Sequence, residues 1–249
     1  MKPQKNIVIV GATSAIAEHC ARIWLRAPTT LTLIGRDGAR LDRVAADLRV
    51  RSPQSDIRVQ VASFDDAQQI QATADGIAAQ HEIDIVLIAH GSLPEQDLCQ
   101  ADLAACNQAL QINGISPVLY AEAFAIHLAR AQHGTLALIG SVAGDRGRRS
   151  NYVYGAAKGL VARYAQGLQH RFAGSGVKVV LVKPGPTDTP MTAHLKQNGA
   201  KLASPAEVAQ AIVKAVACGQ AQVYAPGKWR LIMWVVRHMP AFIFNKINI

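Results

Sequence analysis

The chain has 249 residues, half of them hydrophobic and few aromatic, which fits one α/β core and excludes a disordered or fibrous chain. Its four cysteines (Cys20, Cys99, Cys106, Cys218) show neither CxxC spacing nor the density of a secreted disulfide framework, and no histidine stands at ligand spacing from another His, Cys or acid, so neither a disulfide scaffold nor a metal site is expected. The net charge of +9 suits nucleic acid, an anionic membrane or an acidic substrate; the basic residues are not interleaved with stacking aromatics on a recognisable module, which counts against nucleic acid.

Lys2 and Lys5 precede an apolar run ending in Ala15-Ile16-Ala17, which superficially resembles a secretory signal. Gly11, Thr13 and Ser14 interrupt that run, and cleavage there would remove the first strand and turn of a nucleotide-binding fold, so a cytoplasmic protein with reduced thiols is expected. Ile7-Val8-Ile9-Val10 reads as a buried strand entering a tight small-residue turn, Gly11-Ala12-Thr13-Ser14-Ala15-Ile16-Ala17, and then a helix. A helix N-terminus offers unpaired amide donors and a favourable dipole, and small side chains let backbone approach a pyrophosphate. Ala15 and Ala17 stand where the usual spacing has glycine, which puts cofactor affinity in question.

The second strand, 30–34, runs into Gly35-Arg36-Asp37. Arg36 suits a ribose 2′-phosphate and so favours NADP, whereas Asp37 aligned with the ribose suits NAD. Further short apolar runs at 57–61, 84–89, 135–140, 177–182 and 221–224 alternate with helical periodicity near 14–26, 38–50, 66–80, 98–130 in two pieces, 152–173 and 205–218. Ser204-Pro205-Ala206-Glu207 supplies a cap, an N1 proline and an acid for the last of these helices. The pattern predicts a single-domain, doubly wound α/β Rossmann fold. Its seven-stranded parallel sheet carries helices on both faces over residues 1–226, and an apolar basic tail follows over 227–249.

Ser141 follows the fifth strand at the carboxyl edge of the sheet, and Tyr154 and Lys158 begin the next helix with i, i+4 spacing on one face. A tyrosine of ordinary pKa about 10 acts near neutrality when a cation such as Lys158 stabilises its phenolate. Ser141 and Tyr154 can both hold a carbonyl oxygen while Tyr154 donates a proton and a nicotinamide supplies hydride, with Lys158 also orienting the nicotinamide ribose.

With the turn at Gly11, Thr13, Ser14, Ala15 and Ile16, these residues make the chain resemble the short-chain dehydrogenase/reductase family over about residues 5–225. The resemblance implies an NAD(P)-dependent enzyme acting on CH–OH or C=O, with Asn113 in the proton relay. It also implies that Pro184, Gly185, Thr187 and Thr189 form the nicotinamide-contacting loop, with Thr189 meeting the carboxamide. Ala89-His90-Gly91 resembles the family's Asn-Ala-Gly turn without its asparagine, which leaves Ala89 and Gly91 as cofactor contacts. Homodimers or homotetramers are expected from the fold.

Between Ser141 and Tyr154 lie Arg146, Arg148 and Arg149, read either as binders of an anionic substrate group or as solvated surface charges. The tail, with Trp229, Trp234, Phe242 and Phe244 among Lys228, Arg230, Arg237 and Lys246, is too interrupted to span a bilayer. It suits either a membrane interface, at the inner face of the membrane, or packing over the pocket or a second subunit. AGDRGRRSNYVYGAAK and PGKWRLIMWVVRHMPAFIFNKI together resemble the branch of the family that reduces decaprenylphosphoryl keto-pentose sugars, implying a phosphorylated, lipid-linked substrate. Reduction of a 3-oxoacyl thioester or another small ketone, and a non-catalytic nucleotide-binding scaffold, are the alternatives.

Overall fold

The computed structural model describes residues 4–193, 197 and 200–247. Seven strands, β1 (Lys5–Val10), β2 (Thr29–Gly35), β3 (Asp56–Val61), β4 (Ile85–Ile88), β5 (Gly134–Ile139), β6 (Val177–Pro184) and β7 (Gln222–Ala225), form one sheet in the order β3-β2-β1-β4-β5-β6-β7. Every pairing is parallel.

The period of two along β1 sorts its side chains between two cores. Val8 and Val10 pack beneath α3 (Ala67–Ala78), α6 (Ser116–Ala131) and α7 (Tyr152–Arg171), while Ile7 and Ile9 pack beneath α1 (Ala15–Trp24), α2 (Gly38–Arg51) and α8 (Pro205–Cys218). The strand order reverses between β1 and β4, so the crevice for a ligand opens at the carboxyl ends of those two strands.

The stretch expected as two helices over 98–130 is three, with a π-helical turn. These are α4 (Gln96–Ala101), α5 (Leu103–Leu110), the turn Gln111–Ile115, and α6. Asp102 is extended, and its side chain accepts from the Ala104 amide at 2.8 Å, which ends one helix and caps the next. The start of α8 forms as expected, with Ser204 Oγ accepting from the Glu207 amide at 3.1 Å and Pro205 in the first turn.

The tail is helical too. In α9 (Trp229–His238), Met233 is buried against Val142 and Tyr224, with Trp229 and Val236 packed beside them, and a short helix, α10 (Ala241–Phe244), follows. Among the described residues no helix is long and apolar enough to cross a membrane.

Candidate active site

A cavity of about 410 Å³ runs along the carboxyl edge of the sheet from the β1–α1 turn to the start of α7. At its nucleotide end Gly11 has φ +82°, and a Cβ there would stand 2.6 Å from the His90 backbone nitrogen, so only glycine permits this close approach. No side chain caps α1, which leaves its first-turn amides free of a side-chain acceptor where Thr13, Ser14, Ala15 and Ile16 line the cavity.

Arg36 is exposed on the cavity wall above the Phe64 ring, 5.5 Å from its centroid. Asp37, its competitor for the ribose, caps α2 by accepting from the Arg40 amide at 3.0 Å. Arg40 lines the cavity beside Arg36; its place in the first turn of α2, four residues on, was the sequence signal for it.

Ala89, His90 and Gly91 follow β4 into the cavity wall. His90 is fully packed between the Phe64 and Tyr120 rings, with Nε2 bonded to Ser116 Oγ at 2.9 Å. Burial, then the neighbouring Lys158 and Arg36 charges, push its pKa down to about 3, so the ring is neutral. A Cβ at Gly91 would come 2.9 Å from Asn113 Oδ1 and 3.5 Å from Lys158 Nζ, which shows how tightly these groups converge beneath the turn.

Ser141, Tyr154 and Lys158 all line the catalytic end. Ser141 is extended at the end of β5 and its hydroxyl accepts from the Ala143 amide at 3.1 Å. Burial raises the Tyr154 pKa, partly offset by a hydrogen bond with Ser141. The Lys158 ammonium lies 5.9 Å from the Tyr154 ring centroid and donates to the Ile139 carbonyl at 3.0 Å, and the net shift of the phenol is the upward one from burial rather than the lowering expected. Burial brings Lys158 itself down to about 8. At neutral pH this leaves a protonated phenol beside a cationic lysine.

Asn113 sits in the π-helical turn and is fully buried behind the cavity rather than on its wall. Its Oδ1 accepts from the Ser92 amide at 2.8 Å and its Nδ2 donates to the Ala109 carbonyl at 2.9 Å. Pro184, Gly185, Thr187 and Thr189 form the wall beyond β6. A Cβ on Gly185 would collide with the Trp229 indole at 1.9 Å, so the start of α9 rests directly on this loop.

The three arginines separate. Arg146 donates to the Val236 and Met239 carbonyls, each at 2.5 Å, and stacks on Phe244 at 3.8 Å, holding the tail rather than lining the cavity. Arg149 is exposed and also off the wall. Arg148 alone lines the cavity; its Nε is buried without a hydrogen-bond partner, as is Oδ1 of Asn151 on the same wall. Desolvation lowers the Arg148 pKa. Below the loop, Asp145 pairs with Lys183 at 2.5 Å, both side chains under 5% exposed, and accepts from the Tyr224 hydroxyl at 2.7 Å. Asn151, Arg40 and this buried pair were not singled out from sequence; the pair itself joins residues 38 apart in the chain.

The family model of the short chain dehydrogenases matches residues 5–200. The chain belongs to this family. An uncharacterized oxidoreductase of Streptomyces coelicolor is 30% identical over 98% of this chain and 96% of its own length, and one of Mycobacterium tuberculosis is 30% identical over 97% and 96%. Among solved structures, a short-chain dehydrogenase from Sphingobium yanoikuyae in complex with NADPH superposes with a TM-score of 0.82 at 22% identity, covering 98% of this chain and 96% of that one. A Burkholderia cenocepacia short chain dehydrogenase in complex with NADP gives 0.82 at 17% identity, covering 98% and 97%. This dehydrogenase/reductase is therefore an NAD(P)-dependent oxidoreductase, and the close approach at Gly11 and the open α1 terminus fit a nicotinamide dinucleotide.

Proposed function

We propose that this enzyme reduces a ketone with NADPH and that the ketone belongs to a phosphorylated, lipid-linked sugar. Bound NADPH supplies hydride. The chain supplies the rest: Ser141 and the Tyr154 phenol hydrogen-bond the carbonyl oxygen, and Tyr154 gives up its proton as charge develops there. The Lys158 cation favours that proton's departure, and Asn113 holds Ser92 and the π-helical turn beneath it. Gly11, Thr13, Ser14, Ala15 and Ile16 cradle the pyrophosphate. Arg36 with Arg40 meets the 2′-phosphate, and Ala89, Gly91, Pro184, Gly185, Thr187 and Thr189 enclose the nicotinamide half.

The observation that carries the substrate reading is the pair of unsatisfied groups on the wall. Arg148 Nε is a buried donor and Asn151 Oδ1 a buried acceptor, both on the cavity that holds Ser141 and Tyr154. Leaving such groups unpaired costs about 1–3 kcal/mol each, so the preferred ligand supplies an anion for the one and a hydroxyl for the other. A sugar phosphate offers both. The apolar side chains that α9 and α10 leave exposed support a lipid carried by that phosphate and presented at a membrane face. Dimeric or tetrameric assembly is also proposed, with exposed Leu103, Ile115 and Leu160 as its apolar surface.

The test is NADPH and NADH titration of the purified protein, followed by NADPH oxidation with a phosphorylated keto-pentose and with the same sugar lacking phosphate. Tyr154→Phe is expected to lose about 10²–10⁴ in rate with nucleotide binding intact. Arg148→Ala is expected to raise KM for the phosphorylated sugar about 10- to 100-fold and to leave the unphosphorylated one nearly unchanged. Equal effects on the two sugars would overturn the anion assignment. Failure to bind either nucleotide would favour a scaffold.

A further inference from the structure

Helix α9 is amphipathic in an unusual sense. One stripe, Trp229, Met233 and Val236, packs inward on Val142 and Tyr224. The opposite side is apolar as well, with Leu231 70% and Trp234 60% exposed and Val235 beside them; Phe242, 70% exposed, and Ile243 continue this surface on α10. Arg230, Leu231, Trp234 and Arg237 follow one another along the helix, and together with Gln222 and Tyr224 they line a second cavity of about 420 Å³, distinct from the catalytic one. Arg237 reaches the Tyr224 hydroxyl. Among the described residues neither Arg230 nor Arg237 has a carboxylate partner, and the sequence carries no acid at all after Glu207.

We infer that this face is a docking surface for an anionic phospholipid bilayer, with the Arg230/Arg237 cavity receiving a lipid headgroup phosphate. Arg230 and Arg237 share the cavity wall with Leu231 and Trp234, and Val235, Phe242 and Ile243 are exposed on α9 and α10, so the face offers cations for lipid phosphate and apolar side chains for hydrocarbon together. A second copy of the chain fits poorly. Two-fold pairing would bring a face carrying Arg230, Arg237 and Lys246 against the same set of cations, with no acidic side chain after Glu207 to separate them. With ten residues, α9 lies on the bilayer and does not cross it. Because the inward stripe of the same helix touches Val142 and Gly185, lipid contact is set beside the catalytic loop, but the docking reading stands whether or not the substrate is lipid-linked.

The full-length protein is sedimented with vesicles of phosphatidylcholine alone and of phosphatidylcholine mixed with phosphatidylglycerol. Binding is expected to the mixed vesicles only, and to fall as salt is raised. Arg230→Gln should weaken it about fivefold, the share of one cation near an anionic surface, and Leu231→Ser with Trp234→Ser should abolish it. Competition by soluble glycerol phosphate distinguishes the two sources of phosphate; full displacement would mean a free-phosphate site and overturn membrane docking. Equal binding to both vesicle types, or to neither, would overturn it as well. So would a concentration-dependent dimer that Leu231→Ser and Trp234→Ser break, which would assign the face to a second copy. NADPH titration of each variant checks the fold and keeps a failure here separate from a failure of the reductase reading.

Discussion

The two ends of the catalytic cavity handle positive charge in opposite ways. At the nucleotide end Arg36 and Arg40 are exposed, and Asp37, the acid between them, is held by a backbone amide. At the catalytic end Lys183 is buried on Asp145, Arg146 is bound to the Val236 and Met239 carbonyls, and Arg148 is left as the cation on the cavity wall from this loop. Cations at the first end are available to a ligand because water solvates them meanwhile. Those at the second end are mostly spent on joining the Ser141 loop to β6, β7 and the tail. Of the three arginines in the sequence motif, Arg148 alone therefore lines the cavity, and the difference lies in which side of the loop each side chain leaves.

The contrast breaks most sharply at Asp145. Asp145→Asn leaves the Lys183 ammonium buried without its counter-charge, and a stability loss of about 3–5 kcal/mol is expected in chemical denaturation. The half-buried pair Arg22–Asp47, far more open to water than Asp145–Lys183 and with an N···O distance of 3.1 Å, is the control, since Arg22→Gln should cost under about 1 kcal/mol. Equal losses at the two sites would mean that burial does not distinguish them. At the nucleotide end, Arg36→Ala should leave stability unchanged and weaken NADPH binding by about 1.5–3 kcal/mol, with NADH binding nearly unaffected. A parallel loss of both nucleotides would move Arg36 away from the 2′-phosphate.

The sheet was legible because it is written in short-range patterns. The apolar run Ile7-Val8-Ile9-Val10 and the runs that follow it between helical segments predict all seven strands, and Ser204-Pro205 marks the start of α8. Tyr154 and Lys158 were legible for the same reason, four residues apart on one helix. What escaped lies between residues far apart in the chain: Asp145 with Lys183, Arg146 with the carbonyls of Val236 and Met239, and His90 against Phe64 and Tyr120. The break at Asp102 and the π-helical turn around Asn113 escaped too, since an insertion of one residue per turn leaves the apolar periodicity of neighbouring turns nearly intact. The direction of the Tyr154 shift depends on burial, which local spacing does not report.

Lys158 gives the next test, through pH. Burial lowers its pKa from the ordinary value near 10.5 to about 8, so between pH 8 and 10.5 the unfolded chain binds the extra proton. The penalty for burying the charged form is fully felt below pH 8 and is relieved as pH rises through that window, so this group's contribution favours the folded state increasingly with pH. Activity should move the other way. Once Lys158 is neutral its field no longer assists Tyr154, and kcat/KM for reduction is expected to fall about tenfold per pH unit above 8. A profile flat to pH 10 would mean that the ammonium stays charged or is not needed.

The smallest effect concerns the phosphate turn. Ala15 stands at the first position of α1 and lines the cavity, yet Gly11 already provides the close approach and no side chain caps the helix. Removing the Ala15 methyl therefore adds little room where room already exists, while glycine at a helix start costs at most about 1 kcal/mol of helix stability. Ala15→Gly is expected to change NADPH affinity by less than about fivefold, equivalent to roughly 1 kcal/mol. Fluorescence titration reads this directly. A gain of tenfold or more would show that the methyl crowds the pyrophosphate, and the nucleotide end would then be the tighter of the two ends rather than the open one.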